Sequence, residues 1–227
     1  MLTFKPYHAL TVAVAFIAAA CATTQAVKPT PAEAPVSVPE PAPVGNVFPL
    51  TMSVCPGMTV ANRPATDADL MITAFSPFVQ VNGKVTLATA PVQAACFSSG
   101  FGARSFGNHK GIDFYSPDAV DIYAAAAGVV REKTYRDDFG NMLVIDHGDG
   151  VFTRYAHLKD FTTGLAQGAM VKPGDVIGHM GHTSKYNVAN HLHFEVLTGE
   201  WGSQAGSFAL TPVDPMKLPA ASAKAKS

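Results

Sequence analysis

Residues 190–196, Asn-His-Leu-His-Phe-Glu-Val, combine an apolar bias with two imidazoles two positions apart. Side chains alternate along a strand, so His191 and His193 point the same way with Cα atoms roughly 6.7 Å apart, and both reach one small site. Asn190 and Leu192 take the opposite face, and Phe194, Glu195 and Val196 continue a pattern suited to a buried strand. A lone histidine in a strand is ordinarily a hydrogen-bonded structural residue. Two in register leave a structural and a functional reading evenly matched, and the rest of the chain decides between them.

Working outward, residues 71–93 alternate around Asn82-Gly83, a dipeptide that supplies positive φ to a two-residue hairpin. Short β-rich runs then recur between turns: "GIDFYS" (111–116), "DIYAAAAGVVREKTY" (121–135), "NMLVIDH" (141–147), "VFTRYAHL" (151–158) and "DVIGHMG" (175–181). Gly128 and the β-branched pair Val129 and Val130 place the alanine run 124–127 in a strand rather than a helix. No long segment carries a 3.6-residue period with caps. The expected class is all-β.

The chain has 227 residues, 48% of them hydrophobic, and a formal net charge of -1, which suits one globular domain with some additional sequence. No run of Lys and Arg is long enough to neutralise several phosphates, so nucleic acid is not an expected partner. Residues 1–20 carry Lys5 and then a short apolar run ending in small residues, the pattern of a secretory signal and too short to span a membrane. Its closing "AAAC" resembles the lipobox of bacterial lipoproteins, which implies that Cys21 is lipidated and anchors the chain to a membrane. Ala18 departs from the usual Leu, and ordinary cleavage after Ala20 or Ala22 is the competing reading. Residues 21–49 hold this cysteine and a linker with seven prolines between 26 and 49, a composition that favours extended polyproline II. Outside the cytoplasm, the remaining Cys55 and Cys96 are expected to form a structural disulfide.

Seven of the eight histidines fall between residues 109 and 193, which favours a shared site. His109 and Asp113 would lie about 13 Å apart in a straight strand, too far to share one ion. A bend at Gly111 would put His109 on a loop and Asp113 at the start of a strand. Alone, these two read as a turn histidine and a capping aspartate. His157 ends an alternating strand whose hairpin partner is 141–147. Three converging segments suit a catalytic zinc site, in which three protein ligands leave one position open.

The set His109-x-x-x-Asp113, "YAHL" and "HLHFE", preceded by "SSGFGAR" (98–104) and followed by "TPVDP" (211–215), resembles the lysostaphin or LytM type of zinc endopeptidase over about residues 85–218. The resemblance implies a compact, mostly antiparallel half-barrel with one Zn2+ per chain in a groove. It implies metal ligands at His109, Asp113 and His193, a catalytic pair at His157 and His191, and hydrolysis of peptide bonds in peptidoglycan. The expected division is an N-terminal hairpin segment (50–95), a peptidase domain of this type (96–218) and a flexible tail (219–227). By analogy the location is the periplasm at the outer membrane, since Ala22 rather than Asp follows Cys21. The bond expected there is the cross-link between D-alanine and diaminopimelate.

The competing reading is a regulator of this type that binds and activates cell-wall amidases without catalysis. Residues 50–95 are the candidate segment for covering the groove. Likeness of 168–181 to lipoyl-type turns leaves the histidines unexplained and lacks a displayed lysine. His147, Asp146 and Asp149 read as structural residues of a turn, and His179 and His182 as solvated or hydrogen-bonded. Glu195 lacks the P-C-x-x-C that a nucleobase deaminase requires. "GFGARSFG" (100–107) lacks dinucleotide-binding spacing and reads as a turn.

Overall fold

The computed structural model describes residues 47–105 and 107–221. The expected signal, Cys21 and residues 21–46 of the linker lie outside the described residues. Within them, fifteen strands follow one another: β1 (Phe78–Val81), β2 (Val85–Ala88), β3 (Cys96–Ser99), β4 (Gly102–Arg104), β5 (Gly107–His109), β6 (Ile112–Tyr115), β7 (Asp121–Tyr123), β8 (Gly128–Arg136), β9 (Gly140–Asp146), β10 (Val151–Leu158), β11 (Asp160–Phe161), β12 (Met170–Val171), β13 (Val176–His179), β14 (His191–Thr198) and β15 (Thr211–Val213). The class is all-β, with antiparallel sheets and two single-turn 3-10 helices among the described residues. No helix described is long and apolar enough to cross a membrane.

The main sheet runs β12-β8-β9-β10-β14-β6-β3. Strand β14 organises it: one edge pairs with β10, while the other pairs first with β6 and then with β15. Asn190 fastens the start of β14 by donating from Nδ2 to the carbonyls of Ser116 and Asp118. Leu192, Phe194 and Val196 leave one face and join Ile112, Phe114 and Tyr155 in the main core. Burying side chains of this size contributes about 1.5–3 kcal/mol each. His191, His193 and Glu195 leave the other face. Farther along that face, Phe152 and Leu197 pack with Met142, Val144 and Leu210 in a second cluster. Both faces of β10 and β14 are therefore covered, and β10 is buried throughout rather than alternating between core and solvent.

Several local expectations change. The hairpin at Asn82-Gly83 has three loop residues, since Val81 pairs with Val85; Asn82 and Gly83 do take positive φ. The alanines 124–127, buried as far as Ala126, form a bend between β7 and β8, neither strand nor helix. Their small side chains let backbone pass through the core, where the N–H groups of Ala124 and Ala125 find the Asp175 carbonyl and the Tyr155 hydroxyl. The linker stops short of Phe48, which is buried with its ring on Phe78 and Tyr123. Residues 48–95 share the main core, so they are not a separate unit. In the expected tail, Ala220 pairs with Val79 and Ala221 N donates to Phe78 O, while residues 222–227 lie outside the described residues.

Strand β3 would leave an open edge, a template for pairing with another chain. The preceding segment closes it in parallel, with Val54 bridged to Phe97 and Ala61 to Ser99. The sulfurs of Cys55 and Cys96 are bonded across this seam, with Cα atoms 4.9 Å apart.

Candidate metal centre

Pairing between β6 and β14 sets Asp113 opposite His193, on the face away from the main core. His109 is the last residue of β5, not part of a loop, and Gly111 turns the chain back into β6. Gly111 serves through close approach rather than special φ: a Cβ there would collide with the Phe194 carbonyl oxygen and come within 3.0 Å of the His193 ring. Three donor atoms then converge. His109 Nε2 lies 3.0 Å from Asp113 Oδ1 and 3.0 Å from His193 Nδ1, and His193 Nδ1 lies 2.9 Å from Asp113 Oδ1. All three residues are buried, and they form the one potential metal-binding group found among the described residues.

The outer hydrogen bonds settle which ring nitrogens are free to bind. A carbonyl only accepts, so His109 Nδ1–H donates to Gly100 O at 2.7 Å and leaves its Nε2 lone pair facing the cluster. His193 Nε2–H donates to Glu195 Oε1 at 3.0 Å and leaves Nδ1 facing the cluster. Asp113 offers Oδ1, while its Oδ2 accepts from Arg104 Nη2 at 3.2 Å. Two imidazoles and one carboxylate at such separations fit a single zinc ion, whose bonds to N and O are about 2.0–2.2 Å.

The electrostatics point the same way. Burial opposes the charged form of Asp113, but the imidazoles of His109 and His193, when protonated, outweigh it and hold the pKa well below the usual carboxylate range. Burial also opposes charge on His193, yet Asp113 and Glu195 outweigh it and raise the pKa to about 9. Surroundings that retain a proton on a buried imidazole also suit a cation.

His157 reaches the groove through an irregularity. Its φ of 60° is left-handed, and the β10–β9 register shifts between Tyr155 and Leu158. Strict alternation would send His157 into the core beside Thr153 and Tyr155; the bulge swings it onto the face of the other imidazoles. Its ring lies 4.6 Å from that of His191 and 6.2 Å from that of His193. His157 Nδ1–H donates to Thr183 O at 2.9 Å, and His191 Nδ1–H to Ala189 O at 2.7 Å. Both Nε2 atoms keep their lone pairs. Burial, with His191 nearby, lowers the His157 pKa to about 4, and burial lowers that of His191. Both rings are neutral at pH 7 and able to accept a proton.

A groove of about 350 Å³ opens over His109, His157 and His193, with Lys110, Arg136 and Asp138 supplying charge and Phe139 and Phe208 an apolar wall. No residue from 50–95 lines it, so the candidate covering segment does not occupy it. His147 donates from Nδ1 to Ala127 O and meets Thr153 Oγ1 at Nε2, a structural role. Asp146 caps the turn at Gly148, and Asp149 pairs with Lys84. His179 lies between Asp160 and Asp121 away from the cluster, and His182 is exposed.

Three residues of the centre were not among the candidates: Arg104, Glu195 and Arg154. "GFGARSFG" is more than a turn: residues 102–104 form β4, paired with β5 that begins at its last residue, Gly107, and Arg104 reaches Ser99 and Asp113. Glu195 is fully buried, with Oε2 accepting from Arg154 Nη1 at 2.5 Å. One signal was available: a carboxylate two places after His193 in a buried strand must share its face and needs a partner.

Residues 107–205 match the sequence profile described as Peptidase family M23. The chain is 41% identical over 87 residues to the DD-carboxypeptidase/endopeptidase Mpg of Neisseria meningitidis, covering 38% of this chain and 19% of that protein. Identity to the peptidoglycan DD-endopeptidase ShyC of Vibrio cholerae is 36% over 89 residues, covering 39% and 20%. Identity to the uncharacterized lipoprotein YgeR of Escherichia coli is 34% over 122 residues, covering 53% and 43%. The chain thus spans less than half the length of each of these relatives. Among solved structures, a zinc-containing peptidase from Vibrio cholerae superposes with a TM-score of 0.49 at 33% identity, over 59% of this chain and 40% of that one.

Proposed function

We propose that this chain is a zinc-dependent endopeptidase that hydrolyses peptide bonds in peptidoglycan cross-links. The observation that carries the reading is the convergence of His109 Nε2, Asp113 Oδ1 and His193 Nδ1 at an open groove lined by His157, with the His191 ring beside that of His157. The names of the Neisseria and Vibrio relatives support a peptide bond of peptidoglycan as substrate. The bond between D-alanine and diaminopimelate is the proposed target. The lipoprotein name of the Escherichia coli relative supports an envelope location, with Cys21 as the proposed lipid anchor.

His109, Asp113 and His193 would hold the ion. Zinc, when bound, supplies Lewis-acid polarisation of the scissile carbonyl and lowers the pKa of an attacking water. The chain supplies the proton handling. His157 and His191, each with Nδ1 committed to a carbonyl, present Nε2 lone pairs that take up the water proton and return it to the leaving amine. Glu195 and Gly100 keep the ligand imidazoles in their binding tautomers.

Purified full-length chain with one equivalent of zinc should release peptide-cleaved fragments from isolated sacculi, identified by mass. His193→Ala and His109→Ala should reduce release to background by losing the metal. His157→Ala and His191→Ala should lose release while retaining zinc. Undiminished release by His193→Ala would overturn the metal mechanism. A zinc-loaded chain that leaves sacculi intact would overturn the enzymatic reading and favour an amidase regulator.

A further inference from the structure

We infer that residues 53–62, which precede the matched family region, form a brace that positions the metal centre from behind. This rests on reading the cluster as a metal centre. Strand β3 is gripped at two points by this segment. At its start, Phe97 N donates to Ser53 O at 2.8 Å, Cys55 N donates to Phe97 O at 3.0 Å, and the disulfide Cys55–Cys96 fixes the seam. At its end, Gly100 N donates to Ala61 O at 2.8 Å, and Asn62 Nδ2 donates to Ala103 O at 3.2 Å. The fit leaves no spare room: a Cβ on Gly100 would collide with the Asn62 carbonyl oxygen and meet Asn62 Cβ at 3.0 Å.

The loop held in this way, residues 100–104, delivers partners to two of the three ligands. Gly100 O accepts from His109 Nδ1–H and thereby leaves Nε2 free to bind. Arg104 Nη2 reaches Asp113 Oδ2. Gly100 is therefore held by its N–H to the brace and by its carbonyl to a ligand. Partners of this kind around a metal centre are worth about 10–100-fold in affinity. The brace lines no part of the groove, so it acts by fixing ligand orientation rather than by closing the site.

The test uses the full chain, stripped of metal and titrated with zinc against a chromophoric chelator, with imidazole 15N spectra of the metal-free protein reporting the His109 tautomer. Gly100→Ala and the pair Cys55→Ala with Cys96→Ala should bind zinc about 10-fold more weakly or worse. They should also mix the two His109 tautomers. Val79→Ala, buried in β1 away from the loop, should lower stability while leaving affinity and tautomer unchanged. Should Gly100→Ala not fold, Asn62→Gly keeps the backbone conformation, removes the bond to Ala103, and should move both readouts in the same direction. Wild-type affinity and tautomer in the brace variants, or an equal loss in Val79→Ala, would overturn the inference while leaving the metal centre intact. A wild-type chain that takes up no zinc would overturn the metal reading itself, and the brace with it.

Discussion

Arg154 Nη1 lies 2.5 Å from Glu195 Oε2, directly across the β10–β14 ladder, and both side chains are shut off from solvent. The guanidinium also donates to Ser207 O and sits 5.0 Å from the Phe139 ring and 4.4 Å from the Phe208 ring. Because Glu195 in turn holds His193, the ion pair continues the metal centre into the protein. Replacing Arg154 by alanine strands a buried carboxylate. Urea unfolding should register a loss of about 3–5 kcal/mol. Glu195→Gln keeps the volume but weakens the hold on His193, and zinc affinity should fall about 10–100-fold. Unchanged affinity in that variant would detach Glu195 from the centre.

Gly140 and His157 meet through Thr183. A Cβ at Gly140, whose φ is +61°, would run into the Thr183 carbonyl oxygen, the acceptor that orients His157. Gly140→Ala should therefore displace the His157 ring without touching the ligands. Fragment release should fall, on the order of 10²-fold if the shift is near 1 Å, with zinc affinity preserved. Parallel loss of zinc would instead indicate wider unfolding.

His147 makes stability pH-dependent. Burial, only partly offset by the bond to Ala127 O and by Asp146, lowers its pKa to about 4. Unfolded, it takes up a proton near pH 6.5. The stability it contributes is whole above that value and is lost as pH falls toward 4, by roughly 3 kcal/mol in full. Urea midpoints measured between pH 7.5 and 4 should decline more steeply for the wild type than for His147→Gln. Equal slopes would remove His147 as the cause.

The Cys55–Cys96 bridge closes a loop with a sequence separation of 41 residues. Replacing both cysteines by alanine should cost about 4 kcal/mol through the entropy returned to the unfolded chain. Thermal unfolding of the two forms side by side measures this; matching midpoints would contradict it.

Much of the architecture is legible from side-chain period alone. The phase of "HLHFEV" places two imidazoles on one face and Leu192, Phe194 and Val196 in the core, as the β14 contacts have it. What escapes is set by pairing over long range. Nothing local marks Ala156-His157 as a bulge; only the β9 register reveals that His157 departs from its period. The alanines 124–127 have strand-like neighbours, yet no sheet offers them a partner strand. Arg104 is 9 residues from Asp113 in sequence, and their meeting depends on two reversals of chain direction. Glu195 looks like one more polar residue until β10 brings Arg154 opposite.

The cross-strand match of Asp113 with His193 carries a further implication. Ligand placement and core placement on β6 and β14 are one and the same phase, so sliding either strand by a single residue would bury the chelating groups and turn Phe114 or Leu192 toward water. No intermediate alignment retains half of either. Ion uptake can thus serve as a gauge of whether the central ladder has zipped in its correct frame during refolding, well before any substrate is added.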